Sequence, residues 1–223
     1  MNLRPLAPLP AFLLLTAFVE EPPRQSLPAN LIPVPILTQR TDFSCGDVAV
    51  LSILRYWNGK KWNRVGEKKL YEPLKTSSKA GTEPTPMAKF LSREPGLKGE
   101  FKHGSPTIKD LEAAIDRGEP TIVCIQAWQA KDDKADFVKW KTDWADGHYV
   151  VLNGYDAKNF YFMDPSTPKV YAFIPRREFA DRWHDVLGAA ERHAQHITIF
   201  VRSTLPKPPK PARAPPKKAA PLN

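Results

Sequence analysis

Residues 36–57 read ILTQRTDFSCGDVAVLSILRYW, and the fold turns on whether this stretch opens a buried helix at its cysteine. Ser44, with Asp47 three positions on, has the serine-x-x-acid spacing of a helix N-terminus. Apolar residues then follow at Val48, Ala49, Val50, Leu51, Ile53, Leu54, Tyr56 and Trp57, nearly all the way round the helix. A helix without a polar face belongs in the middle of a core. Cys45 falls in its first turn, where unpaired backbone N–H groups and the helix dipole favour an anion. A thiolate is the nucleophilic form of cysteine. A small residue packed at a helix start would also suit this position, so the reading depends on finding a base.

Downstream of the helix, residues 57–84 are a polar, irregular connection with one short helix. Thr85-Pro86 is expected to open another helix, with proline at its first position. Thr107 and Asp110 repeat the capping pattern before LEAAID, and Gly118 ends that helix. The chain then changes character. PTIVCIQAW, HYVVLNGY, NFYFMD, KVYAFIP and HITIFVR are five strand-like runs, broken by one more helix over RREFADRWHDVL. Helices first and strands later predict an α+β fold, the central N-terminal helix packed on a C-terminal antiparallel sheet.

The base comes from the second and third runs. His148 begins one strand and Asp164 ends the next, sixteen residues later. With a three-residue loop at Asp156–Lys158, Tyr155 faces Asn159 and Val150 faces Asp164, which places His148 and Asp164 on one face as diagonal neighbours. A two-residue loop sends them to opposite faces, so the pairing requires an odd loop or a bulge. A carboxylate so placed fixes the tautomer of an imidazole and stabilises its charged form. A histidine at a strand start or an aspartate before a proline is ordinary when met singly; the ordered set Cys45, His148, Asp164 is not. His103 lies in a glycine-rich loop, His184 and His193 on or after the late helix, and His196 at a strand start with no acid following.

Composition narrows the classes. A 223-residue chain, 42% apolar, can bury a core without a staple. Of the net charge of +9, five units sit in Lys207, Lys210, Arg213, Lys217 and Lys218, so the folded body has no nucleic-acid signature. Cys124 lies inside an apolar run and reads as a small buried residue. Neither cysteine forms a CxxC pair and no histidine spacing suits a metal, so no cofactor is expected.

The domain is expected over residues 31–204. Residues 205–223, PKPPKPARAPPKKAAPLN preceded by Leu205, read as a disordered basic tail. Residues 1–30 begin MNLRPLAPLPAFLLLTAF, with Arg4 before an apolar run at Ala11–Val19, then a linker. That is the outline of a secretory signal, and export to a periplasmic or extracellular space is the favoured reading. Its interrupting prolines and the lack of an A-x-A site leave a cytoplasmic extension as the alternative. The apolar run is too short to span a bilayer.

On these residues the chain resembles the papain-like cysteine peptidases, and most closely the bacteriocin-processing, double-glycine leader peptidases of family thirty-nine. The shared features are Gln39 six residues before Cys45-Gly46, Gly81-Thr82 followed by PMAKFL, the strand approach RGEPTIVCI, then GHYVVLNGYD, YFMDP and FADRW. They run in order over residues 32–187. The resemblance implies a peptide or protein substrate, attack by Cys45, His148 as base and then acid, and Asp164 as its orienter. It further implies an oxyanion hole from the Gln39 side-chain amide and the Cys45 backbone N–H. Leader-processing members are commonly fused to a transporter; this chain has no GxxxxGK[ST] phosphate loop and no spanning segment in the expected mature part. Hydrolysis, acyl transfer to an amine, and peptide binding without turnover all fit such a cleft. The charged stretch 129–147, with Trp140 and Trp144, suits a flap over the cleft or a surface insertion. The sequence leaves the oligomeric state open.

Overall fold

In the computed structural model the described residues are 24–128, 137–188, 192–208 and 216–222. The expected signal lies outside them, as do residues 129–136 of the charged stretch 129–147. After a two-residue strand β1 (Gln25–Ser26), the N-terminal half is helical: α1 (Cys45–Trp62), α2 (Lys68–Leu74) and α3 (Pro84–Leu91). Next come β2 (Leu97–Lys102), α4 (Ile108–Asp116), β3 (Thr121–Gln126) and α5 (Phe137–Thr142). The remainder is β4 (Gly147–Tyr155), β5 (Asn159–Met163), β6 (Tyr171–Pro175), α6 (Arg176–Arg182), β7 (His184–Leu187), β8 (Arg192–Gln195), β9 (Thr198–Ser203) and β10 (Lys218–Pro221).

Eight strands form one sheet in the order β1-β10-β6-β5-β4-β3-β9-β2, antiparallel except between β10 and β6. The pair β7–β8 is a separate hairpin. Every residue of α1 from Cys45 to Leu54 is buried, and the helix packs on β4. The apolar belt read from the sequence therefore does bring the helix to the centre of an α+β fold. Each fully buried Val, Leu or Ile of those nearly three turns contributes about 1.5–3 kcal/mol.

Several local expectations are corrected. The helix begins at Cys45, but Ser44 makes no capping bond. Its hydroxyl donates to the Thr41 carbonyl (3.3 Å) and to Glu67 Oε1 (3.3 Å), and Asp47 is turned toward Thr76 and Thr82. Tertiary partners outcompete the local cap. The next helix starts at Pro84, so Pro84 and not Pro86 takes the first position. The Thr107–Asp110 capping box forms in full, and Gly118 follows with φ +79°. The helix read over RREFADRWHDVL stops at Arg182, and His184–Leu187 pairs with Arg192–Gln195. Leu97–Lys102, which is not among the five strand-like runs, joins the sheet beside β9; its Leu97, Gly99 and Phe101 alternate with Lys98, Glu100 and Lys102. The expected disordered tail has a structured part: Ala219 and Leu222 are buried, and Lys218–Pro221 is a strand whose residues 219–221 pair in parallel with Tyr171–Phe173. It lies between β6 and the two-residue β1.

The β4–β5 register decides the site. Tyr155 pairs with Phe160 and Gly154 with Tyr161, so the turn does not have the three-residue form expected. The register then slips by one between Leu152 and Gly154, giving Leu152↔Phe162 and Val151↔Met163. Continued one step, that places Val150 against Asp164. The bulge supplies the odd residue that the His148–Asp164 pairing requires. Asn153, the bulged residue, is fully buried; its carbonyl accepts from Ile32 N–H (2.7 Å) and its amide donates to the Ile32 carbonyl (2.9 Å). The leading segment 31–35 thus pins the bulge. Among the described residues no helix is long and apolar enough to cross a membrane.

Candidate active site

His148 opens β4 in register with Ile125, and Asp164 directly follows the last residue of β5. Both side chains are almost wholly buried, and His148 Nε2 lies 2.7 Å from Asp164 Oδ1. The carboxylate is itself held. Oδ1 accepts from Ser166 N–H (2.8 Å) and Oδ2 from the Thr167 hydroxyl (2.6 Å), while the Ser166 hydroxyl reaches both oxygens. Burial alone would raise an aspartate, but the bond to His148, its charge and these donors outweigh that and hold Asp164 at about 2. For His148, burial pushes the pKa down; the Asp164 bond and the Cys45 side chain more than reverse it, lifting it from 6.5 to about 9.

Nε2 is engaged by Asp164, and Nδ1 is buried with no hydrogen-bond partner among the described residues, which leaves it as the ring nitrogen open to Cys45. With Nε2–H donating to the carboxylate, Nδ1 is the lone pair available to a thiol proton. Cys45, 8% exposed, sits at the first position of α1 against that imidazole. Gly46 follows because the 76–82 loop presses on this turn: a Cβ there would come within 2.8 Å of Thr82 Cβ. That loop is anchored by Asp47, whose carboxylate accepts from Thr76 (2.8 Å) and Thr82 (3.1 Å) hydroxyls.

Gln39 is brought to the same place by its backbone, its N–H donating to the Pro165 carbonyl next to Asp164 (2.9 Å). Its amide nitrogen donates to the Thr41 carbonyl (2.8 Å), which uses one of its two N–H bonds and fixes the plane; Oε1 is buried without a partner among the described residues. The segment between Gln39 and Cys45 hangs on Glu67, a buried carboxylate that sequence reasoning missed. Its Oε1 accepts from Arg40 N–H (3.0 Å), the Ser44 hydroxyl and the Tyr71 hydroxyl (3.1 Å). A glutamate in a lysine-rich connection carries no local signal for that role. Trp128 was missed too, read as the end of a strand; its ring lies 4.5 Å from that of His148.

Cys124 is buried and unbridged, as expected, and its thiol donates to Asp185 Oδ2 (3.2 Å). Burial and the Asp185 charge push its pKa up, so it is a poor nucleophile. Among the described residues no cluster suits a metal ion. A groove of about 860 Å³ lies at the far end of α1, by Tyr56, Trp57 and Pro206, and contains none of these groups. A nucleophile, an imidazole, a carboxylate and an amide donor together can carry acyl transfer through a thioester.

Solved structures share the fold. A protein described as a C39-like peptidase from Bacillus anthracis aligns over 82% of this chain and 100% of its own, with 17% identity and a TM-score of 0.56. The peptidase domain of Streptococcus ComA, a bifunctional ABC transporter of a quorum-sensing pathway, aligns over 75% and 97%, with 15% identity and a TM-score of 0.50. A double-glycine motif protease from an AMS/PCAT transporter, solved with its leader peptide, aligns over 81% and 99% at 23% identity, with a TM-score of 0.48. No curated protein sequence matches the chain. Residues 31–191, which hold all the site groups described above, match the Peptidase C39-like family, and the chain belongs to that family.

Proposed function

We propose that the protein is a cysteine peptidase that hydrolyses peptide bonds through Cys45, His148 and Asp164, with Gln39 as an oxyanion donor. The observation that carries this reading is the buried 2.7 Å His148–Asp164 pair, whose imidazole is also influenced by Cys45 at the N-terminus of α1. Cys45 gives its proton to His148 Nδ1 and attacks the carbonyl carbon, and the carbonyl oxygen takes the negative charge. The second N–H of the Gln39 amide and the Cys45 backbone N–H are the donors for that oxygen. His148 returns the proton to the leaving nitrogen as the C–N bond breaks, leaving a thioester. Water then attacks with its proton passing to His148, and release of the acid restores the thiol. Asp164, charged throughout, keeps the imidazole in the tautomer that both proton transfers need.

The test is acylation of the protein by p-nitrophenyl acetate, followed by turnover of a mixed peptide library. A burst of p-nitrophenolate with the acetyl group on Cys45, absent in Cys45→Ala and strongly slowed in His148→Ala, is expected, together with peptide cleavage. Acetylation at the same slow rate with and without His148 defeats the proposal.

A further inference from the structure

Trp128 is a residue to which no part of the foregoing chemistry assigns work. Among the described residues it is the only large apolar side chain left exposed, at 40%. Its backbone has φ +55°, a left-handed conformation that a bulky side chain adopts only when its surroundings impose it. Those surroundings are firm. The β3–β4 ladder runs to Gln126↔Gly147, and Ala127 N–H donates to the Asp146 carbonyl (2.9 Å). The Gln126 side chain accepts from Asp146 N–H (3.0 Å) and donates to the His184 carbonyl and to Asp185, both at 3.1 Å. The chain is clamped up to the residue before Trp128 and then forced into a conformation that turns the indole onto His148, with ring centroids 4.5 Å apart. One part of the ring covers the imidazole; the rest stays open to solvent.

We propose that the open part of Trp128 is the wall of the subsite for the residue on the leaving side of the scissile bond, and that it selects an apolar or aromatic side chain there. The inference rests on the peptidase reading above. His148 must hand its proton to the leaving nitrogen, so the segment departing with that nitrogen passes the imidazole. Trp128 is the exposed surface in contact with that imidazole, on the β3 side, away from Asp164 on β5. Indole offers dispersion and offset ring packing to an apolar partner and no hydrogen-bond acceptor to a polar one.

The leaving-side subsite can be read without knowing the natural substrate, because an amine that attacks the thioester enters where the leaving amine departed. The acetyl-enzyme from p-nitrophenyl acetate is partitioned between water and phenylalanine amide, leucine amide or glycine amide. The amine nitrogen displaces the Cys45 sulfur, giving the N-acetyl amino-acid amide and the free thiol. In the wild type, phenylalanine and leucine amides should capture the acetyl group about three- to tenfold better than glycine amide. Trp128→Phe should keep most of that preference, and Trp128→Ala should bring the three amines to within about twofold. The ratio is taken within each variant, so it does not depend on how much acetyl-enzyme forms. Equal capture of all three amines by the wild type overturns the inference, as does an unchanged preference in Trp128→Ala. Failure to acylate the wild type on Cys45 instead overturns the peptidase reading on which it stands.

Discussion

Replacement of Asp164 by Asn isolates the charge of the pair. Oδ1, which faces His148 and accepts Ser166 N–H, remains an oxygen in the amide. The new NH2 replaces Oδ2 opposite the Thr167 hydroxyl, which can accept as readily as donate. The geometry is therefore kept and the negative charge lost. His148 is lifted from its ordinary 6.5 to about 9, in favour of the imidazolium. Burial works against this, and Asp164 and Cys45 share the lift. Without the carboxylate charge, about one to two units should be lost. The sign is fixed by which form is active. An imidazolium is needed to protonate the leaving nitrogen, so activity is retained below the folded pKa and lost as pH rises through it. The alkaline limb of turnover, near pH 9 in the wild type, should fall to about 7–8 in Asp164→Asn. The same shift should appear in Cys45 alkylation by iodoacetamide in a Cys124→Ser background, as the pH at which the His148-dependent part of the rate disappears. An alkaline limb that stays near 9 in the variant would refute the argument that Asp164 supplies the charge.

Gln39→Ala should lower the acylation rate by about a hundred- to a thousandfold, the usual cost of one oxyanion donor, while leaving the iodoacetamide reaction, which forms no oxyanion, within about threefold. Equal losses in both assays would mean the loop had collapsed instead. Asp47, raised by burial from 3.8 to about 6, binds more protons folded than unfolded between those values, so stability declines as pH rises through that window by up to about 3 kcal/mol. Asp47→Asn, which can still bond Thr76 and Thr82, should be more stable than the wild type at pH 8 and close to it below pH 4; urea unfolding at the two pH values with one constant difference would contradict this. Gly147→Ala would set a methyl 1.9 Å from Asp185 Oδ2, a carboxylate already held by Cys124 and Gln126. It should cost about 1–3 kcal/mol in thermal unfolding, and an unchanged midpoint would show that β7 yields freely.

The parts of this protein legible from the chain alone are those in which a local pattern and the tertiary outcome agree. The apolar belt from Val48 to Leu54 can be satisfied only by a central helix, and the five β-branched and aromatic runs only by strands. The order of Cys45, His148 and Asp164 along those elements limits how they can meet. Their meeting also needed a one-residue irregularity between Tyr155 and Asp164, and parity alone showed that. Where the irregularity sits was beyond the sequence, because Asn153 bulges to bond Ile32, more than a hundred residues earlier. The same holds for Ser44 and Asp47, whose spacing promises a local cap that Glu67, Thr76 and Thr82 override with better-placed partners. His184–Leu187 left its helix for a hairpin with Arg192–Gln195, and Lys218–Pro221 left a proline-rich tail for a place beside β6, since in both cases a neighbouring strand supplied the missing backbone partners. Trp128 reads as one more apolar residue in a strand; only the clamped end of β3 turns it onto His148. Periodicity is written in neighbouring residues, so the sequence by itself determined the central helix, the five main strands and which reactive side chains they bear. Long-range hydrogen bonds exist only once the chain is folded, so the tertiary structure alone decided the register, the anchoring of the loop around Cys45 and the aromatic cover on its base.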